Sequence, residues 1–423
     1  MAKHQRLSRR MFLGGGIGVA GLVSNVLALS TGPQGKQGVA YASSHIPSHT
    51  NSSMADMAGM ADMAGMATTA GVPSLPFTGV VNPALNGGFN PSKFMSQFEK
   101  GTVQQIRGKP TRVFNLVSVV KNIVVGIDDT TKKPIVFQAW AFGTTPTNAQ
   151  VPGPTLRCTE GETILINYTN NTPTTHSIHF HGIHNTANDG SLQAANPGQK
   201  VQYQFIAEPA GLMAYHCHVL PSSTHVGKGL YGAMIIDPIQ PRTRAVELVM
   251  IMNAFGIRSP NKNDIYAFNT VANHYNANPV TIGLGQPVRI YLVNMVVNEP
   301  AVSFHLHANF FDLYPAGTQT KPTEHNDMVT LSMLERHILE FTYKVPPFTP
   351  GSYMFHSHDI PGEMGMFGLL NLVNAQAIPG LPTDPNANPN VNADPNANPN
   401  VNANANANGR RKRNLNPNPN SIP

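Results

Sequence analysis

Four His-X-His pairs stand in order along the chain: His179-Phe180-His181, His216-Cys217-His218, His305-Leu306-His307 and His356-Ser357-His358. In an extended strand successive side chains point to opposite faces. Each pair then sets two imidazoles on one face and its middle residue on the other. Taken alone, one such pair reads as core or surface histidines. Four in order read as a supply of metal ligands, since neutral imidazole is the commonest of them.

The second pair carries a further constraint. Within Ala214 to Gly232, Cys217 faces away from His216 and His218, His225 follows eight residues later, and Leu230 five after that. Upstream, His176 lies three residues before His179 and so takes the face opposite to it. One cysteine, two histidines and a weak or absent axial ligand describe a blue-copper electron-transfer site. His176, Cys217 and His225 meet that description, with Leu230 as the axial neighbour; Met234 competes for that place and is otherwise core. Farther on, Val302 stands where His176 would be and Ser357 where Cys217 would be. The second half therefore repeats the histidine cluster and drops the thiolate site, an internal duplication.

This pattern resembles the multicopper oxidases, in particular the small two-domain, laccase-like branch with its mononuclear copper in the first domain. The resemblance covers roughly Leu75 to Asn374. It is supported by Pro152-Gly153-Pro154-Thr155-Leu156-Arg157 and Glu160-Gly161-Glu162, which are similar to first-domain segments of that family. The resemblance implies two cupredoxin-like Greek-key β-sandwiches and four coppers per chain. His176, Cys217 and His225 would hold type 1 copper, with Leu230 beside it. His179 and His305 would hold type 2 copper. His181, His216, His218, His307, His356 and His358 would hold the type 3 pair. Asp189, in Asn188-Asp189-Gly190, resembles the acid the family sets near type 2 copper for proton supply, although Asp-Gly is also an ordinary turn. The family's two-domain members close head to tail into homotrimers.

Runs of Val, Ile, Tyr and Thr broken by Gly, Pro and Asn agree with an all-β fold. Strands are expected at Val113–Val124, Thr163–Thr169, Lys200–Ile206, Tyr231–Asp237, Ala245–Met252, Val288–Val297, His337–Tyr343 and Met366–Val373. About 300 residues suit two sandwiches better than one. Their boundary is placed near Asp237–Arg244, dividing domain 1 at 75–240 from domain 2 at 241–375. There are two cysteines. Cys217 being assigned to copper, Cys158 is expected to be a buried free thiol, with no disulfide. His184 is placed either at the outer edge of the histidine cluster or in a surface loop.

The ends differ in composition from this body. Ser8-Arg9-Arg10-Met11-Phe12-Leu13 precedes an apolar, glycine-rich run, which reads as a twin-arginine export signal over 1–42, or as an uncleaved anchor. Export to the periplasm, the cell surface or the medium is expected. Over 43–74, Met54, Met57, Met60, Met63 and Met66 recur every third residue. Thioethers are soft ligands suited to Cu(I); the same composition also makes a flexible linker. The tail, 376–423, is built of Asn, Pro and Ala and has nothing with which to form a core. Five of the six net positive charges come from these ends. Nine of the 28 basic residues and four of the 22 acidic ones lie there, leaving 19 against 18 in the body. A nearly neutral body excludes an electrostatic case for nucleic acid.

The reaction expected is one-electron oxidation of a small donor, phenolic, metal ion or redox protein, coupled to reduction of O2 to water. Two other readings stay open. Copper nitrite reductases share the two-domain plan, with an aspartate where this chain has His179 and one type 2 copper in place of the cluster. A copper store or carrier would account for the methionine run.

Overall fold

The computed structural model describes residues 76–374. The expected signal, the methionine run and the tail lie outside those residues. Strands dominate, gathered in four sheets, two formed before Asp237 and two after Val246.

In the first half one sheet runs β1 (Phe77–Thr78), β3 (Lys109–Asp128), β6 (Thr163–Asn170), β8 (Lys200–Ile206), with β2 (Thr102–Ile106) and β4 (Pro134–Gly143) also on β3. Its partner sheet runs β5 (Leu156–Thr159), β10 (Tyr231–Asp237), β9 (Gly211–His216), β7 (His179–Phe180). In the second half one sheet runs β12 (Ile265–Phe268), β11 (Val246–Phe255), β14 (Pro287–Asn294), β19 (Arg336–Thr342), β16 (Phe311–Pro315), β17 (Glu324–Asn326). The other runs β13 (Val280–Gly283), β21 (Phe367–Val373), β20 (Gly351–His356), β15 (Val302–Leu306), β18 (Met328–Leu331). The halves repeat one plan. In each, a first strand pairs parallel with the strand that follows the ligand loop, β5 with β10 and β13 with β21. That strand then pairs antiparallel with the one carrying the later histidine pair.

The burial pattern follows sheet position. β6 and β21 alternate buried and half-buried residues, as strands with one face on the core do. β9 is buried at every residue, because β10 and β7 flank it and the second half covers its other side. The expected strands Lys200–Ile206 and Tyr231–Asp237 are found with those bounds. The strand expected at Val288–Val297 stops at Asn294. There the Asn294 carboxamide accepts from Val296 N (2.9 Å) and donates to Leu331 O, an Asx turn that ends the ladder. Conversely, β3 runs on to Asp128 through a bulge at Val124/Gly126.

One apolar cluster draws on both halves, with Phe137, Leu212 and Tyr231 packed among Ile251, Phe255 and Tyr291. Beside it lies a buried ion network. Arg157, from the PGPTLR segment, binds Asp237 at 2.7 and 2.9 Å and reaches across to Glu247 at 2.6 and 3.1 Å. Glu247 also accepts from Tyr291 Oη (2.7 Å) and Arg289 (3.2 Å), and Arg289 binds Glu340 (2.6 Å). Asp237 is met by a bidentate fork and Glu247 by three side chains, which is what permits the Glu247 charge to be buried there.

Candidate metal centres

The later histidine pair of each half meets the earlier one in the same register. On β7 and β9, His179 lies opposite His216; on β15 and β20, His305 lies opposite His356. The chain beyond each strand is held alike. His218 N donates to Ser177 Oγ (3.3 Å) and His358 N to Ser303 Oγ (2.9 Å). Cys217 N donates to Leu230 O and Ser357 N to Met366 O. Met366 is thus the second-half counterpart of Leu230.

Two quartets of imidazoles result. In the first, ring centroids of His179, His181, His216 and His218 lie 5.1 to 5.8 Å apart. In the second, those of His305, His307, His356 and His358 lie 4.7 to 5.6 Å apart. Among the described residues no ring contact joins one quartet to the other. His179 Nδ1 meets the carbonyl of Asp189 at 2.7 Å, His305 Nδ1 that of Asp327 at 2.9 Å, His216 Nδ1 that of Cys217 at 2.9 Å, and His356 Nδ1 that of Ser357 at 2.7 Å. A carbonyl oxygen only accepts, so Nδ1 holds the proton in all four and Nε2 keeps its lone pair for a metal. Ring nitrogens of the later pairs converge with those of the earlier ones: His181 Nε2 is 3.2 Å from His216 Nε2, and His307 Nε2 is 2.9 Å from His356 Nε2. Burial pushes His181 down to about 3 and His216 to about 4, so both rings are neutral at physiological pH.

The third group is separate. His176 Nδ1 and His225 Nδ1 lie 3.0 Å apart, and Cys217 Sγ lies 3.2 Å from His225 Nδ1 and 3.8 Å from His176 Nδ1. All three are buried. Three donor atoms on so small a triangle leave room for one ion at its centre, and the set of one thiolate and two imidazoles suits copper. Burial raises the Cys217 thiol, although the backbone N–H of Ser177 opposes this from 3.4 Å. A thiolate at that place therefore calls for a cation. Strand faces, expected from the sequence to set out this trio, do not do so. β7 holds only His179 and Phe180, and β9 ends at His216, so His176 and Cys217 stand outside the strands. His176 is fixed instead by a bridge to Ala195, and a short helix, Ser222–Gly227, brings in His225. Leu230 is fully buried in the core cluster that also holds Cys217 and Met234.

At the matching place in the second half, Val302 is buried, Ser357 Oγ donates to Asp359 Oδ1 (2.6 Å), and Ser303 Oγ lies 3.3 Å from Ser357 Oγ. A hydroxyl stands where sulfur does in the first half, and the Val302 side chain where an imidazole does. Cys158 is a buried free thiol on β5, raised by burial to about 12, and so is no nucleophile.

Asp189 sits under His179, its carboxylate 3.4 Å from His179 Nδ1 and 3.7 Å from His184 Nδ1. A hydrogen bond with Ser191 holds it below the usual carboxylate range, against the effect of burial. Gly190 makes this approach possible: at φ +76° a Cβ there would come within 1.9 Å of Ile178 O. His184 proves to be in this outer layer, its Nε2 donating to Phe180 O at 2.6 Å.

Three residues escaped the reading of the sequence. Trp140, the sole tryptophan, packs its ring on both His176 (4.7 Å) and His225 (5.0 Å). Asp327 repeats for His305 what Asp189 does for His179, and the Asn-Asp dipeptide following each first pair was the available signal. Arg336 reaches from β19 to His181, with no signal in the sequence.

Two family models described as multicopper oxidase match the chain, one over residues 135–241 and one over 247–370. A solved structure of a multicopper oxidase is 34% identical, covers 70% of this chain and 100% of its own, and superposes with a TM-score of 0.63. Among curated proteins, a probable nitrite reductase-hydroxylamine oxidoreductase fusion protein of Kuenenia stuttgartiensis is 28% identical over 56% of this chain and 29% of its own length. A copper-containing nitrite reductase of Neisseria gonorrhoeae is 24% identical over 57% of this chain and 65% of its own. The chain thus spans less than two thirds of the length of these curated relatives. With both halves matched and a relative aligned along its entire length, the chain belongs to the multicopper oxidase family.

Proposed function

We propose that the protein is a laccase-like oxidase that takes electrons singly from a small reducing donor, phenolic or a metal ion, and delivers four of them to O2. His176, Cys217 and His225 hold type 1 copper. His179 and His305 hold type 2 copper, and the other six histidines of the pairs hold the type 3 pair. The observation that carries this reading is the presence of two like quartets beside one separate His-Cys-His triangle. Copper, when bound, supplies one-electron redox chemistry, four ions together matching the four electrons O2 requires.

The chain's own residues do the rest. Cys217 belongs to the triangle while its sequence neighbours His216 and His218 belong to a quartet, so the backbone itself is the electron path. Trp140 covers the triangle and keeps its surroundings apolar. Asp189, between the solvent and His179, passes protons inward. Each quartet converges on itself within one chain, which supports a cluster completed by a second copy docked head to tail. Such a contact must close to avoid a filament, and we propose a homotrimer. We further propose that the twin-arginine segment exports the protein.

Nitrite reduction is the second reading, favoured by the similarity to the gonococcal nitrite reductase. The two separate in one experiment, with reduced donor offered O2 and nitrite in turn. The oxidase reading expects four donor electrons per O2 consumed, without hydrogen peroxide, and no loss of nitrite. Nitrite consumption with no O2 uptake would overturn it.

A further inference from the structure

Four imidazoles of the quartets turn their Nδ1 to a backbone carbonyl, which makes the ring a better donor to a metal. His181 departs from this. Its Nδ1 faces Nη1 of Arg336 at 3.5 Å, while its Nε2 points to His216. Arg336 opens β19 in the second half, yet its guanidinium is spent on the first. Nε donates to Leu212 O (2.6 Å) and Nη2 lies 3.7 Å from Met213 Sδ, both on β9, the strand that delivers His216. Among the described residues no carboxylate is bonded to it, and the group is partly buried. The carboxylate that acts on it is that of Glu335, exposed and next to it in the chain, and burial outweighs that effect; the cation is felt at His181, where little water screens it. The counterpart of His181 in the second half is His307, whose charged neighbour is the Asp327 carboxylate. Each half-cluster thus has a carboxylate beside it, Asp189 in the first and Asp327 in the second, and the first faces the Arg336 cation in addition.

Resting on the copper reading above, we infer that Arg336 is a positioning residue that makes the two halves of the cluster electrically unequal. Its charge disfavours Cu(II) more than Cu(I) at the position held by His181 and His216. Electrons arriving from Cys217 then find their preferred first acceptor beside the covalent path. The bond from Arg336 Nε to Leu212 O ties that preference to the contact between the halves.

The test uses copper-loaded full chain in a Cys217→Ser background, which removes type 1 copper from the signal. The protein is poised anaerobically at a series of potentials and its Cu(I) is read with a chromophoric chelator. Arg336→Gln is expected to lower the Cu(I)/Cu(II) ratio at fixed potential about tenfold, the size of a unit charge acting through partly screened surroundings. Arg336→Lys, which keeps the charge, is expected to stay near the parent. A parent-like ratio in Arg336→Gln overturns the inference. Absence of cluster copper in the parent overturns instead the reading on which it rests. If Arg336→Gln does not fold, Met213→Glu supplies the test by setting a carboxylate against the guanidinium, with Met213→Gln as its uncharged control. A lower ratio in Met213→Glu than in Met213→Gln supports the inference; equal ratios overturn it.

Discussion

Cys217 is the residue on which two centres turn, since its side chain lies in the triangle and its neighbours on either side lie in a quartet. Replacing it with serine should abolish the intense blue absorption and donor oxidation while the cluster keeps its copper, because none of the eight quartet imidazoles binds sulfur. Metal analysis and the optical spectrum check this; loss of all copper would mean that the centres are not independent. Leu230 is buried in the core cluster that holds Cys217, and in the proposed reading it would stand beside the same metal without donating to it. Leu230→Met should lower the type 1 potential, as a thioether stabilises Cu(II) where an alkyl group does not. An unchanged midpoint in a redox titration would mean that the side chain at 230 is not the axial neighbour.

At the scale of elements, the joint between β5, β10, β11 and β14 decides how the halves hold together. Glu247 is buried among Arg157, Arg289 and Tyr291, and burial alone would raise its carboxyl; the Arg157 hydrogen bonds outweigh this and hold it below the usual range. A depressed folded value contributes stability that is present above the unfolded pKa, about 4.3, and is lost as pH falls through the folded one. The buried histidines act with the same sign from about pH 6.5 downward, since they must charge on unfolding. Comparing Glu247→Gln with the parent isolates the carboxylate. The variant should lose roughly 3 kcal/mol at neutral pH, because two guanidinium groups lose a charged partner, and its melting temperature should fall less steeply between pH 5 and pH 3, ~1 unit to either side of the carboxylate range. Equal steepness would remove Glu247 from that account.

Elements also show how far the sequence could be read. Strands such as β8 and β10 were legible because alternation and flanking turns both mark them. The histidine pairs were legible because a metal site needs particular atoms at particular spacings. What was hidden depends on contacts between distant segments. Nothing near Trp140 in the chain points to His176, Asp327 lies 22 residues after His305, and Arg336 meets His181 only once the halves have packed. The side chains of His176, Cys217 and His225 do lie together, and loop and helix, not strand faces, bring them there.

At the scale of the whole molecule, a cluster shared between chains makes a prediction that no single-chain site can. His179→Ala lacks a first-half ligand and His307→Ala a second-half ligand. Each alone should be inactive. Unfolded together and reassembled, they should form some junctions in which both halves are intact, and oxidase activity should return. Mixed assemblies that remain inactive would place the whole cluster within one chain. Beneath this lies the claim that two quartets and one triangle hold a full set of metals, and counting them tests it most directly. Metal analysis of the purified, fully loaded protein, against a protein concentration from amino-acid analysis, should give four coppers per chain. A value of two per chain would contradict the account and leave the quartets with a single ion between them.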